Sequence, residues 1–197
     1  MLRRRSSILQ RPRSRAAHDP ALLPPGTAPG LSDTGFFKPS TPGYPNGCHI
    51  CEVEIDPETG ALAILRYTLV HDFGRVLNPL LLEGQLHGGI AMGLGQAGFE
   101  RVVFDPESSQ PLAASFMDYA PPRADDLPFF DFTAQATPSA NPLGVKGCGE
   151  AGATAAAPAL MNAIVDALAP LGISHVDMPA TPERLWRLIE DARGRAE

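Results

Sequence analysis

Cysteine is scarce in this chain, with Cys48, Cys51 and Cys148 the three among 197 residues. So few thiols, spaced so unevenly, exclude the disulfide framework of a small secreted domain. Two of them form a C-x-x-C pair, but residues three apart on a strand point to opposite faces, so we expect neither a zinc site nor a disulfide there. The scarcity favours a reducing compartment, and we expect a cytoplasmic protein.

An excess of basic charge is also missing. Sixteen Lys and Arg residues stand against 22 Asp and Glu residues, for a net charge of -6, which makes nucleic acid and anionic membranes poor partners. A run of about 18 uninterrupted apolar residues is absent as well, so the sequence predicts no transmembrane helix. The nearest segment, residues 80–99, is interrupted by polar side chains: Glu83, Gln85, His87 and Gln96.

The first thirty residues differ from the rest in composition. Six arginines lie within residues 3–15, and four prolines lie within residues 20–29. Such a segment cannot bury enough apolar surface to offset its ordering entropy, so we expect residues 1–33 to be a disordered basic, Pro-rich tail. A basic tail, an Arg- and Ser-rich transit peptide and the product of a misplaced start or frameshift all fit. A secretory signal peptide does not, because no apolar segment follows the arginines.

The rest of the chain has ample material for a core, since hydrophobic residues make up 44% of the sequence and charged residues 19%. Alternation predicts strands at residues 48–56 and 61–73, and the Asp-Pro-Glu-Thr-Gly turn between them predicts a β-hairpin. Asn78 and Pro79 are residue types that cap and open a helix, which we expect to run to Glu100. Its six glycines, each costing about 1 kcal/mol relative to alanine, indicate close packing or a ligand against this helix.

Further elements follow this helix. Short strands are predicted at residues 101–104 and 129–137. Residues 151–168 are apolar on nearly all sides, which predicts a buried helix that kinks or restarts at Pro158. Thr181 then caps a terminal amphipathic helix. Together these elements predict an α+β fold in which a small, mostly antiparallel sheet packs against two long buried helices.

A glycine-rich segment, GVKGCGEAG at residues 144–152, places one carboxylate, Glu150, in a turn that is nearly free of side chains. Glycines allow a backbone or a ligand to approach closely, and a negative charge is favourable at the start of a helix. Two interpretations follow from the spacing alone. Glu150 is a general base held beside a bulky ligand, or it is a capping residue in an ordinary glycine-rich loop.

Three blocks carry a family resemblance: VHDFGRVLNPLLLEGQLHGGIAMGLGQAGFE at residues 70–100, SFMDYAPPRADDLP at 115–128 and NPLGVKGCGEAG at 141–152. In this order they resemble the C-terminal part of the molybdopterin-binding large subunit of the xanthine dehydrogenase/aldehyde oxidase family, closest to its carbon monoxide dehydrogenase-like branch. The resemblance runs from about Thr34 to about Arg187. It implies that residues 34–197 are the C-terminal portion of a molybdopterin-binding domain. Because the family pattern begins abruptly, we expect a truncated gene, with residues 1–33 outside the match.

The resemblance also implies roles for individual residues. Glu150 stands where the family has a glutamate beside molybdenum, which is taken to deprotonate a molybdenum-bound hydroxide as that oxygen attacks a substrate carbon. Gln85 stands where the family has a glutamine that contacts the molybdopterin. Gly147 and Gly149 are implied cofactor-binding residues, and Gln96, three helical turns beyond Gln85, is a weaker candidate.

Cofactors and partners are implied in the same way. The family holds molybdenum through the dithiolene of the pterin, here expected in its cytosine dinucleotide form, so His71 and His87 are not expected to be metal ligands. Electrons would leave through iron–sulfur and FAD subunits. The upstream half of the large subunit, a further partner, carries the residues that choose the substrate. Carbon monoxide, aldehydes and N-heterocycles therefore stay open as substrates.

Two functions of different classes are consistent with the sequence. The first is the C-terminal fragment of a molybdenum hydroxylase large subunit, a molybdopterin-dependent oxidoreductase that is incomplete as an isolated chain. The second is a non-catalytic truncated fragment or a subunit-contact module with no independent activity. The molybdenum content of the protein distinguishes them.

Overall fold

A computed structural model of the chain describes residues 19–23, 25, 29–30, 34–38, 40–137 and 139–195. The chain divides into two units, Met1–Lys38 and Pro39–Glu197. In the first unit, the described residues include a 3₁₀ turn, Pro20–Leu22, in which the Asp19 carboxylate accepts from the Ala21 N–H at 3.0 Å. The predicted disorder of residues 1–33 lies mostly outside the described residues and stays a prediction.

The second unit contains a three-stranded sheet with the strand order β1 (Asn46–Ile55), β2 (Leu62–Asp72), β3 (Phe130–Gln135). β1 and β2 pair antiparallel and form the predicted hairpin. In its turn the Asp56 carboxylate accepts from the Glu58 N–H at 2.9 Å and from the Thr59 hydroxyl at 2.6 Å. β3 pairs with β2 in parallel. The prediction of a mostly antiparallel sheet was therefore wrong: the sheet is mixed, because the chain returns to the free edge of β2 after a long excursion.

That excursion also explains a second error. Residues 101–104, predicted as a strand, do not join the sheet. Phe104 forms an isolated bridge with Pro111 instead. The turn between them is closed by Asp105, whose carboxylate accepts from both the N–H and the hydroxyl of Ser108 at 2.7 Å. The strand predicted at residues 129–137 is confirmed in shortened form as β3.

The described residues form three α-helices: α1 (Pro79–Gly98), α2 (Ala151–Leu168) and α3 (Pro182–Gly194). α1 and α3 begin where the sequence predicts. The Asn78 side chain accepts from the Leu81 N–H at 3.2 Å, and the Thr181 hydroxyl oxygen accepts from the Arg184 N–H at 3.4 Å. α2 runs continuously through Pro158, so the helix does not restart there.

The core lies where β2, α1, α2 and α3 meet. Its largest fully buried side chains come from all four elements: Tyr67, Leu69, Leu86, Ile90, Leu94, Leu160, Ile164, Leu185 and Ile189. The two long helices are each buried along one side only, and α1 also exposes Leu80 and Met92, at 77% and 62%. The prediction of two buried helices is corrected accordingly, since their outer faces have no cover within the described part of the chain.

One helix also resembles a membrane span in composition. Residues Ala151–Leu171 are long and apolar enough, by length and composition alone, to cross a bilayer. Ala156, Leu160, Ile164 and Leu168 nevertheless form a stripe of α2 in the core. The stripe packs in the core, while 22% of the segment is buried within the described residues; helices that are apolar on nearly all sides occur in the interiors of large proteins as well as in membranes.

Glycines set the distance between α1 and α2, as the glycine content of α1 predicts. A Cβ on Gly152 would lie 2.5 Å from the Leu86 carbonyl oxygen and 2.9 Å from the Ile90 nitrogen. Because only movement of the backbone relieves such contacts, we expect Gly152→Ala to lower the free energy of unfolding by about 1–3 kcal/mol in urea denaturation.

Gly84→Ala is the matched control for this prediction. A Cβ on Gly84 meets nothing within 4 Å, and alanine improves helix propensity by about 1 kcal/mol at an interior position. The control variant should therefore be at least as stable as the parent. Equal stability of the two variants would contradict the packing argument.

Candidate functional site

The glycine-rich loop, residues 144–150, lies against the segment that leaves β2. The Arg75 N–H donates to the Gly144 carbonyl oxygen at 2.8 Å, and the Lys146 N–H donates to the Phe73 carbonyl oxygen at 2.9 Å. Gly144 has a φ of 69°, a left-handed conformation that favours glycine. Backbone pairing therefore sets the position of the first half of the loop.

A buried ion pair fastens the same loop to the end of β2. Lys146 Nζ lies 2.6 Å from Asp72 Oδ2, and the two side chains are 11% and 8% exposed. Asp72 Oδ1 also accepts from the N–H groups of Gly74 at 2.8 Å and Thr137 at 3.1 Å. The hydrogen bond from Lys146, followed by that from Gly74, holds the pKa of Asp72 well below its usual range. Sequence reasoning missed this pair, although each partner is a charged residue within an uncharged segment.

Glu150 occupies the N-cap position of α2. Its carbonyl oxygen accepts from the Thr154 N–H at 3.0 Å and from the Thr154 hydroxyl at 2.8 Å. Its carboxylate is exposed, makes no capping hydrogen bond and forms no ion pair with any residue that the structure describes. The second interpretation of the sequence required the Glu150 side chain to cap the helix, and in the structure it does not.

Glu150 faces a cavity of about 420 Å³ that is lined by His71, Gly147, Cys148, Gly149 and Thr154 among others. A Cβ built on Gly147 or Gly149 would meet nothing within 4 Å. Open space thus lies beside the loop backbone next to the carboxylate. A flat ligand fits this arrangement, because it can approach the backbone without displacing any side chain.

A second cavity, of about 460 Å³, adjoins the first. Its lining includes Gln85, Phe73, Leu81, Lys146 and Cys148. Cys148 lines both cavities, so the loop lies between them. The Gln85 amide is on the wall of the second cavity, and the Glu150 carboxylate is on the wall of the first. An amide offers both donors and an acceptor, which suits the edge of a pterin.

Of the five predicted site residues, Gly147, Gly149 and Glu150 line the first cavity, and Gln85 lines the second. Gln96 stands apart from them. It is exposed, it follows Gln85 by about 16 Å along α1, and it is not among the residues that line either cavity. The two glutamines lie on the same face of α1, but this separation along the helix is too large for both to line one cavity.

A chain of three side chains reaches the Glu150 cavity from the sheet. Tyr67 OH lies 2.6 Å from His49 Nδ1, and His49 Nε2 lies 2.6 Å from His71 Nε2. His71 Nδ1 is buried without a partner among the described residues. Burial and the neighbouring His71 lower the pKa of His49 to about 4, and burial lowers the pKa of His71. Both imidazoles are therefore neutral at pH 7.

This neutral histidine pair predicts a loss of stability in mild acid. An unfolded histidine has a pKa of about 6.5, so between that pH and about 4 the unfolded chain binds more protons than the folded one. Stability from the pair is complete above this window and falls as the pH decreases through it. We expect urea denaturation to show this decline, with a flatter pH dependence in His49→Gln.

The matched control for this prediction is His175→Gln, because the His175 side chain is 80% exposed. The contribution of Asp72, whose pKa is lowered in the folded chain, also begins to fall below about pH 5, but it is common to the parent and both variants and therefore cancels in the comparison. A parent chain and a His49→Gln variant with the same slope between pH 6.5 and 4 would contradict the assignment.

Comparisons with known proteins relate this arrangement to a family. Residues 10–128, which include Gln85, match the model of the molybdopterin cofactor-binding domain. The large subunit of nicotine 6-hydroxylase from Paenarthrobacter nicotinovorans is 39% identical over 170 residues, covering 86% of this chain and 21% of that protein. The large chain of carbon monoxide dehydrogenase from Hydrogenophaga pseudoflava is 35% identical over 177 residues, covering 89% of this chain and 22% of that protein.

A solved structure agrees with these relatives. The Cu,Mo-CO dehydrogenase in its carbon monoxide reduced state matches with a TM-score of 0.78 and 35% identity, over 86% of this chain and 21% of that one. This chain thus spans about a fifth of the length of the relatives it matches. The mixed sheet with three helices is the architecture of that part of the large subunit. The chain belongs to the molybdopterin-binding domain of the xanthine dehydrogenase/carbon monoxide dehydrogenase large-subunit family, in its carbon monoxide dehydrogenase-like branch.

Proposed function

We propose that this chain carries the catalytic base of a molybdenum hydroxylase large subunit, Glu150, together with one wall of its cofactor site. The observation that supports this most strongly is the state of the carboxylate. It stands at a helix start, makes no capping hydrogen bond and lines a cavity with two glycines whose outer sides are open. The carboxylate has no structural partner among the described residues, which leaves its oxygen atoms available, as a general base requires.

The chain's own residues would divide the work around the cofactor. Gln85 would hydrogen-bond an edge of the pterin, and the loop at Gly147 and Gly149 would lie along its face. The cofactor, when bound, supplies the redox centre at which a substrate carbon is oxidised. Glu150 would take up the proton released from the attacking oxygen, because its carboxylate is exposed at the start of α2 without a capping hydrogen bond.

Other parts of the site would come from outside the described residues. We propose residues 34–197 as the C-terminal portion of the domain, although the family match itself begins at residue 10, with the remainder of a large subunit against its exposed apolar faces. Relatives that match here are large subunits, which supports iron–sulfur and flavin subunits as further partners. A cytosine dinucleotide form of molybdopterin and a cytoplasmic location, favoured by the scarcity of cysteine, belong to the same proposal.

A second function stays in competition. A non-catalytic module for subunit contact is favoured by one observation, the exposure of large apolar side chains on the outer face of α1, where Leu80 is 77% and Leu81 is 66% exposed. Such apolar surface is typical of contact with another polypeptide. This function requires the contact surface but no competent base.

A chimera distinguishes the two functions. The matching 170 residues of the nicotine 6-hydroxylase large subunit are replaced by those of this chain, and the enzyme is assembled with its own partner subunits. Bound molybdenum together with oxidation of nicotine supports the catalytic proposal. An assembled complex that lacks molybdenum, or that holds molybdenum without turnover, supports the contact module.

A further inference from the structure

We propose that Asp72 and Lys146 form a positioning element that fixes the glycine-rich loop and thereby aims Glu150 into its cavity. What Glu150 does there rests on the proposed function, but the positioning itself is a property of this chain alone. The pair is placed for this task, because it joins the end of the central strand, β2, to the loop four residues before Glu150.

Glu150 lies between two fixed points. On one side, the Lys146 backbone N–H donates to Phe73 and its side chain is held by Asp72. On the other side, Gly152 is in close contact with the backbone of α1. Between these points, Gly147 and Gly149 leave open space where a Cβ would stand, so side-chain packing restrains them little. The direction of Glu150 therefore depends on how firmly both ends are held.

Backbone hydrogen bonds at Gly144 and Lys146 set the position of this end of the loop, and the buried ion pair adds a side-chain anchor between the loop and the end of β2. Asp72 is already oriented by the N–H groups of Gly74 and Thr137, so it presents Oδ2 in a fixed direction. Lys146 is a long side chain that loses much rotamer freedom when it is held in one place. Without its partner, the ammonium is an uncompensated buried charge, which favours conformations of the loop that expose it to water.

The same sheet offers a matched control pair. Arg66 on β2 and Glu52 on β1 form an ion pair with a 3.3 Å separation, but their side chains are 62% and 51% exposed. Exposed pairs of this kind contribute little to structure. Arg66→Met therefore removes a charge from β2 without touching the loop.

The three cysteines make the proposal measurable in the full chain without any cofactor. Cys148 lies within the loop and reports its opening. Cys48 is exposed and serves as a reference. Cys51 packs against the core, and burial and the nearby Glu52 raise the pKa of its thiol to about 11, so it reacts when the sheet itself opens. Iodoacetamide labelling at neutral pH, resolved by mass spectrometry of the peptides, gives the three rates separately.

We expect Asp72→Asn and Lys146→Met each to raise the labelling rate of Cys148 by about tenfold or more, through local opening of the loop. The rates of Cys48 and Cys51 should stay unchanged, and Arg66→Met should change none of the three. The double variant Asp72→Asn/Lys146→Met leaves no unpaired buried charge, so stability recovers. Its Cys148 should still label fast, because the anchor is missing.

Three results would overturn the proposal. The first is slow labelling of Cys148 in both single variants, and the second is a rise that Cys51 shares, which indicates general destabilisation. The third is slow labelling of Cys148 in the double variant, which also decides the matter if a single variant does not fold. Labelling requires no molybdenum, so a chimera without turnover contradicts the proposed function and leaves this result standing.

Discussion

Glu150→Gln is expected to lower turnover per bound molybdenum by about 10²–10⁴-fold in the chimera, the range of general-base assistance. Glutamine has nearly the same shape as glutamate but does not accept a proton at neutral pH. The carboxylate is exposed and makes no capping hydrogen bond, so its replacement removes no structural contact. Molybdenum content and melting temperature should therefore stay close to those of the parent, and steady-state turnover normalised to molybdenum measures the effect.

Glu54→Gln is the matched control for this prediction. Glu54 is also an exposed carboxylate, but it lies on β1 and lines neither cavity. The two variants change the net charge equally, so a loss confined to Glu150→Gln is a loss of chemistry. Near-normal turnover per molybdenum in Glu150→Gln would show that Glu150 is not the base. A lowered yield and melting temperature, with no selective loss of rate, would assign it a structural role.

Local signals predicted most elements of this fold. The cap residues Asn78 and Thr181 placed the starts of α1 and α3, and the apolar segment placed α2 at Ala151–Leu168. The hairpin followed from alternation and from the turn at Asp56. Each of these features is decided by residues within a few positions of one another, where capping, turn chemistry and side-chain alternation act.

Structural features that depend on residues far apart in the sequence were not predicted. Whether β3 joins β2 in parallel depends on the path of residues 101–129, and alternation within one strand does not reveal its neighbour. Two long buried helices were also predicted, with α2 apolar on nearly all sides. Composition shows that a helix face is apolar and favours contact with other apolar surface, but it does not show whether that surface belongs to the same chain.

The candidate site divides in the same way. The roles of Gln85 and Glu150 follow from the family resemblance and stay predictions, whereas their placement on the walls of two cavities that share Cys148 is a property of the fold. The His49–His71 contact follows only from the hairpin register, in which Gly47 is paired with His71. That register makes the two histidines diagonal neighbours on one face, within reach of each other's rings.

The isolated chain is expected to purify without stoichiometric molybdenum, whereas the chimera should retain it. Gln85 and Glu150 are both exposed, so a cofactor bound to this chain alone would leave much of its surface in water. Cofactor sites bury about 70–90% of a ligand of this size. Elemental analysis of purified chain and chimera measures the difference, and a molybdenum-loaded, monodisperse isolated chain would contradict it.

Within the chimera, Gln85→Ala should lower the molybdenum content more than the turnover per molybdenum, because the amide holds the cofactor and takes no part in proton transfer. Gln96→Ala is the matched control, since it removes the same side chain from the same helix outside both cavities. Glu150→Gln should show the opposite pattern, with the cofactor retained and the rate lost. Equal molybdenum contents in Gln85→Ala and Gln96→Ala would show that Gln85 does not hold the cofactor. The proposed cofactor contacts of this chain would then be limited to the loop glycines.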